Sequence, residues 1–223
     1  MNKEQFWEII GRTKVSTNNT PDLLTAELTR LEISDILRWE QIHNLYYSLA
    51  YKNKLYAAAN IISQCCYSDD GFNQFRRWLI MQGKEAFLNA LRDPDSLADV
   101  VECEKYTPKK KIYYTAWKAY NRKLNLNAQD ERFIAELYKY SEISEKERAE
   151  IESEILYADD IDIVLSNNDD SMFDFLPKLC GKYKYARTEK IIYNDSSNKR
   201  RTLYEIVEGA EKIKSFSLYP LYT

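Results

Sequence analysis

Residues 54–66, KLYAAANIISQCC, are apolar on nearly every side. A helix with one polar face can lie on a surface, whereas a helix without one has to be enclosed by neighbours. This segment therefore calls for a body of several helices around it, and its run of alanines lets them approach closely. The chain is well supplied with helices and poor in turn-makers. Five Gly and five Pro in 223 residues favour long helices over many short strands.

Apolar residues recur at helical spacing through the first half. Phe6, Ile9 and Ile10 share one face of a helix over 3–12. Thr20, Pro21 and Asp22 form a start signal, with Thr as N-cap, Pro at the first helical position and Asp in the first turn. Leu24, Leu28 and Leu31 follow on one side. Ser34 and Asp35 open a helix striped by Ile36, Leu37, Ile42, Leu45, Tyr46 and Leu49. Further helices are predicted over 70–81, over 84–91, from Pro94, and over 112–124, where Tyr113, Ala116, Trp117 and Tyr120 are spaced by three and four.

The charge pattern changes beyond Leu124. Residues 127–175 are strongly acidic, with few basic side chains beyond Arg132, Lys139, Lys146 and Arg148. Ser144 and Glu147 make a capping box, so the segment EKERAEIESEILY reads as a helix with a solvated face. Its carboxylates, Glu145, Glu147, Glu150, Glu152 and Glu154 with Asp159 and Asp160, are expected at the surface. The last forty residues turn basic and β-prone: two runs rich in β-branched and aromatic residues flank NDSSNK, the pattern of a hairpin. The expected division is a helical domain over 1–183, with an acidic helical insertion near 127–165, and a basic appendage over 184–223 packed on it. The fold class is mostly α, a compact multi-helix bundle.

Composition limits the chemistry. A net charge of −3 is too small to imply a nucleic acid or an acidic substrate. No apolar run approaches the ~20 residues that span a bilayer, and the opening MNKEQFWEIIGRTK lacks the apolar core of a signal peptide, so a cytosolic setting with no membrane partner is expected. The four cysteines, Cys65, Cys66, Cys103 and Cys180, show no zinc spacing, and they read as reduced, packed thiols. The single histidine, His43, lies mid-helix without a nucleophile motif, and no glycine-rich phosphate loop, cofactor fingerprint or metal motif is present. Any catalysis would rest on carboxylates, Tyr, Lys or Arg.

One stretch concentrates such groups. In residues 67–83, YSDDGFNQFRRWLIMQG, Ser68, Asp69 and Asp70 precede Arg76 and Trp78. As architecture, the first three cap a helix and suit the positive end of its dipole, while Phe72, Phe75 and Leu79 bury one face. Arg76 shares that face and would reach back to Asp69 or to a neighbouring helix as a partly buried ion pair. As a site, the carboxylates and the arginine would make a polar pocket for a cation or for acid–base work.

This stretch, followed by Asp93, Pro94, Asp95, Ser96, Leu97 and Ala98, resembles the signature of a bacterial domain-of-unknown-function family, number four-two-four-zero. The opening FWEII, the YYTAWKAY helix and LPKLCGKY are also similar, extending the likeness over most of 1–183. Tyr56 departs from the Trp more usual in that family, and Cys65 and Cys66 stand where small residues are usual. The resemblance implies an all-helical domain and brings no activity, cofactor or catalytic residue. The favoured function is a non-catalytic interaction protein with a protein partner, in an immunity or regulatory role. The alternative is a small-ligand- or metal-binding enzyme domain built on Ser68, Asp69, Asp70, Arg76 and Trp78. Nucleic-acid binding through Lys199, Arg200 and Arg201 is disfavoured by the short cluster and the acidic chain.

Overall fold

The computed structural model describes residues 1–14, 20–63, 69–100, 114–161 and 171–183, with the backbone of two strands at 187–194 and 200–207. Ser68, Cys65, Cys66, Cys103, Tyr113 and Lys199 lie outside the described residues. Six helices build the first half: α1 (Lys3–Thr13), α2 (Thr20–Thr29), α3 (Ile33–Leu49), α4 (Asn53–Ser63), α5 (Asp69–Ile80) and α6 (Lys84–Arg92). A 3₁₀ turn, Pro94–Ser96, leads into α7 (Leu97–Val100), and α8 (Thr115–Lys123), α9 (Arg132–Lys139) and α10 (Glu145–Glu152) follow. The short helices α11 (Ser171–Phe175) and α12 (Pro177–Lys182) precede strands β1 (Arg187–Asn194) and β2 (Arg200–Val207). The strands pair antiparallel with Ile191 opposite Leu203, as the hairpin pattern predicts.

The mostly-α fold is what the sequence implies, and α4 takes the enclosed position its composition demands. Leu55, Ala57, Ala58, Ala59, Ile61 and Ile62 are all buried. A second centre is aromatic. Trp7 lies 4.8 Å from Tyr46 and 5.6 Å from Phe87, and Phe6 lies 5.3 Å from Trp39, so α1, α3 and α6 meet through rings. Trp7 Nε1 donates to the Tyr46 hydroxyl at 3.0 Å, which satisfies the indole inside the core. Burial pushes that hydroxyl up to about 12. Gly83 turns the chain from α5 into α6 at φ 93°, a left-handed conformation that suits glycine.

Several helix starts differ from the sequence expectation. Helix α2 includes Thr20 rather than being capped by it, and α3 begins at Ile33 behind Glu32. Asp35 instead binds the Met1 amine at 2.7 Å. Helix α10 stops at Glu152, short of the predicted end: the Glu154 and Ile155 amides donate to the Ile151 and Glu152 carbonyls, three residues back, in a tighter turn that leaves Ile151 and Ile155 buried. That turn also carries Glu154 off the solvated face. It pairs with Lys3 of α1 and, at 2.8 Å, with Lys84 of α6. Burial raises the Glu154 carboxyl, but the two ammonium groups hold it below its ordinary range.

The later helices are part of the same core. Met172, Leu176, Leu179, Cys180 and Tyr183 are buried, and α12 contacts α4 and α7. Asp95 fixes α12 in place. Its carboxylate, itself buried, accepts from the Lys178 and Leu179 amides at 3.0 and 2.9 Å, so a residue of the 3₁₀ turn caps a helix more than eighty positions away. No described helix is long and apolar enough to cross a membrane. Asp95→Ala is expected to cost roughly 2 kcal/mol, and Asp95→Asn less, because the amide oxygen still accepts one bond. Urea denaturation of the two variants checks the order, and hydrogen exchange should place the loosening in 177–183.

Candidate functional site at the junction of α3 and α5

Helix α5 carries the residues singled out in the sequence, and the structure separates them. Asp69 and Asp70 occupy its first turn, both exposed, where their charge suits the helix dipole. Asp69 lies close enough to α4 to hold the Tyr56 hydroxyl above its ordinary range, secondary to burial. Trp78 is half-buried, its ring 5.3 Å from that of Phe75. Arg76 turns to α3 instead of reaching back to Asp69 or Asp70. The expected ion pair is absent: among the described residues Arg76 has no carboxylate partner.

The partners Arg76 does have explain this placement. The last four carbonyls of a helix lack intrahelical donors. At the end of α3, the Tyr46 carbonyl accepts from the Ala50 amide and that of Ser48 from the Tyr51 amide. The Leu49 carbonyl accepts from the Tyr157 hydroxyl at 3.3 Å. That leaves Tyr47, and Arg76 Nη1 donates to its carbonyl at 2.8 Å. Arg76 thus completes the C-terminus of α3 from a neighbouring helix, with its charge at the negative end of the dipole.

The second terminal nitrogen is held equally closely, while buried Nε has no hydrogen-bond partner among the described residues. Nη2 donates to the Tyr47 hydroxyl at 2.8 Å and to Asn73 Oδ1, to which that hydroxyl itself donates at 2.6 Å. The rings of Tyr47, Tyr51 and Phe72 lie 3.9, 4.7 and 5.0 Å from Arg76 Cζ. At 3% exposure the charge is desolvated, which lowers its affinity for the proton. The cap dipole, two hydroxyl and amide oxygens and three π faces take the place of a counter-ion.

One turn and two turns earlier on α3, a second group of polar residues faces α5. Glu40, His43, Asn44 and Tyr47 are spaced by three and four, and Arg77 lies 4.2 Å from the Tyr47 ring. His43 is only 2% exposed and stacked on Trp39 at 5.1 Å; among the described residues neither its ring nitrogens nor Trp39 Nε1 have a hydrogen-bond partner within bonding geometry. Burial, and then the charge of Arg77, depress the imidazole to about 3. Burial pushes half-buried Glu40 up to about 7, against the pull of Arg77 and the Asn44 amide. At neutral pH the imidazole is uncharged and the carboxyl is near half-protonation. Sequence reasoning missed this group, although the spacing of Glu40, His43, Asn44 and Tyr47 on one stripe was its signal. No cluster of three or more metal-ligating side chains occurs among the described residues.

Two outcomes follow. Arg76→Ala is expected to cost roughly 2–4 kcal/mol and Arg76→Lys nearly as much, since a lysine cannot serve the Tyr47 carbonyl and hydroxyl together. Asp69→Asn and Asp70→Asn should each cost about 1 kcal/mol or less in the same urea titration. The pH dependence separates Glu40 from His43. Stability from the protonated Glu40 is full below 4.5 and is lost as pH rises through about 7. Stability from the neutral His43 is full above 6.5 and is lost as pH falls toward about 3. Between 4.5 and 6.5 the two slopes oppose and cancel. Glu40→Gln should therefore gain stability with rising pH in that window by about 1.4 kcal/mol per unit relative to the wild type, and His43→Gln should show the reverse slope.

No curated protein and no solved structure matches the chain. The family model described as Protein of unknown function (DUF4240) matches residues 1–122, which contain α1 to α7, nearly all of α8 and both helices of the α3–α5 junction. The match stops short of LPKLCGKY, which the sequence likeness included. Spanning more than half of the chain, it establishes that this protein belongs to the DUF4240 family.

Proposed function

We propose that this chain is a non-catalytic interaction protein of the bacterial cytosol, in an immunity or regulatory role, which presents an acidic face to a basic partner protein. Residues 1–183 form the working unit in this reading, with the basic segment after 184 as an appendage. The observation that carries it is the outer face of α9. Ile134 and Tyr138, one turn apart, are 49% and 87% exposed, while Phe133 on the opposite side is buried. They stand in a segment, 127–161, with eleven carboxylates and four basic side chains. An exposed aromatic and an aliphatic residue supply the anchor of a protein interface, and surrounding carboxylates steer a basic partner and fix its orientation.

The enzyme alternative draws no support from the position of Arg76, whose Nη1 and Nη2 are committed to α3 and Asn73. Affinity capture from cells of the source organism tests the interaction reading. Ile134→Ser/Tyr138→Ser and, separately, Glu142→Lys/Glu145→Lys alter only exposed side chains and should leave stability within about 0.5 kcal/mol of the wild type. The wild type should retain a basic protein, with binding that weakens as salt rises, and both variants should lose it. Retention by both variants, or capture indifferent to salt, would contradict the reading.

A further inference from the structure

Strands β1 and β2 form a two-stranded sheet, and among the described residues no third strand continues it and no helix packs broadly on it. A hairpin of two strands is marginally stable alone in water. Each outer edge also presents a row of backbone N–H and C=O groups ready to pair with another chain. Strand β2 carries none of the usual backbone blocks. Its sequence, RRTLYEIV, has no proline or glycine, and its register with β1 runs without a bulge from Arg200 to Val207.

Alternate residues of a strand share a face, so Arg201, Leu203 and Glu205 lie on one face of the ribbon, opposite Tyr193, Ile191 and Glu189 of β1. Glu189 and Glu205 are directly opposed, and like charges so placed destabilise a hairpin. Glu205 therefore has no complement directly across its own hairpin, and a cation across the outer edge of β2 would supply one.

A second copy of this chain offers that cation. Two copies of β2 related by a two-fold axis normal to the sheet run antiparallel and keep each face on its own side, so residues of equal parity pair. Centring the axis on Leu203 sets Arg201 opposite Glu205 of the second copy, and Glu205 opposite Arg201 of the second copy, with Leu203 opposite its own equivalent. The row across both hairpins then reads Ile191, Leu203, Leu203, Ile191, an unbroken apolar stripe. On the reverse face the same register opposes Thr202 to Tyr204, a favourable β-branched and aromatic pair. Moving the centre to Thr202 opposes Arg201 to Leu203, and moving it to Tyr204 opposes Glu205 to Leu203, so either shift loses the charge pairs. The edge of β1 lacks this complementarity: centred on Lys190 it opposes that lysine to itself, and centred on Ile191 it opposes Glu189 to Tyr193.

We propose that this protein forms a homodimer through the outer edge of β2, which pairs antiparallel with β2 of a second copy about Leu203 to complete a four-stranded sheet. The pairing is isologous, so association through this edge stops at two. The α9 face plays no part in it.

Charge exchange in the full chain, followed by sedimentation equilibrium, is the test. The wild type should be a dimer. Arg201→Glu opposes two carboxylates at both charge positions of the pairing, and Glu205→Arg opposes two cations there. Each variant alone should self-associate at least about tenfold more weakly than the wild type. An equimolar mixture of the two variants should restore the dimer, because every such pair is again opposite in charge, and so should the double variant Arg201→Glu/Glu205→Arg. Glu205→Arg also sets a cation across from Glu189, which strengthens the hairpin itself, so loss of its dimer would not come from unfolding of the ribbon. A monomeric wild type, undiminished association of either single variant, failure of the mixture to dimerise, or growth into larger open assemblies would each overturn the proposal.

Discussion

The C-terminal end of α3 is the point on which the surrounding structure depends. This 17-residue helix touches α1, α5, α8 and α9, and its last carbonyls lack donors within the helix. A carbonyl shielded from water without a donor costs as much as a lost hydrogen bond, and here each of the four has a donor. The turn into α4 supplies two, Tyr157 of the late chain a third, and Arg76 of α5 the fourth. The last of these also explains how a buried guanidinium is tolerated without a carboxylate. The helix dipole and the ring faces of Tyr47, Tyr51 and Phe72 supply the negative potential.

A similar economy recurs elsewhere. Asp95 caps α12, Asp160 accepts from the Lys54 amide at the start of α4, and Glu154 ties α1 to α6. Each of these contacts joins elements distant in sequence, and each uses a carboxylate to satisfy a helix end or to bridge two helices. Together they bind the segments beyond the family match, 145–161 and 171–183, to the matched helices. The Asp-Pro-Asp run at 93–95 is accordingly a structural device: Asp93 caps its own 3₁₀ turn, and Asp95 caps a remote helix.

The parts of this fold that were legible in the sequence are those set by local patterning. The all-round apolarity of 54–66 dictates a buried helix, and the stripe from Ile36 to Leu49 dictates a long amphipathic one. The capping box at Ser144 and Glu147 forms as its spacing requires. What the sequence could not show is which donor meets which acceptor across helices. Arg76 was expected to form an ion pair with Asp69 or with a neighbouring helix; it does turn to a neighbouring helix, but to a carbonyl and a hydroxyl of α3 rather than to a carboxylate. Glu154 was grouped with the solvated carboxylates because helical periodicity was extended past the residue where α10 ends. Glu40 passed unremarked, and His43 was read only as a mid-helix residue without a nucleophile motif, because a carboxylate and an imidazole within a helix acquire unusual protonation only when another helix buries them.

Amide hydrogen exchange over residues 46–52 tests the claim that Arg76 completes α3. In Arg76→Ala, protection in this segment should fall by more than in the rest of α3, while Asp70→Asn should leave it at the wild-type level. Uniform loss of protection throughout the molecule, or equal effects of the two substitutions on this segment, would contradict the assignment of Arg76 as the cap of α3.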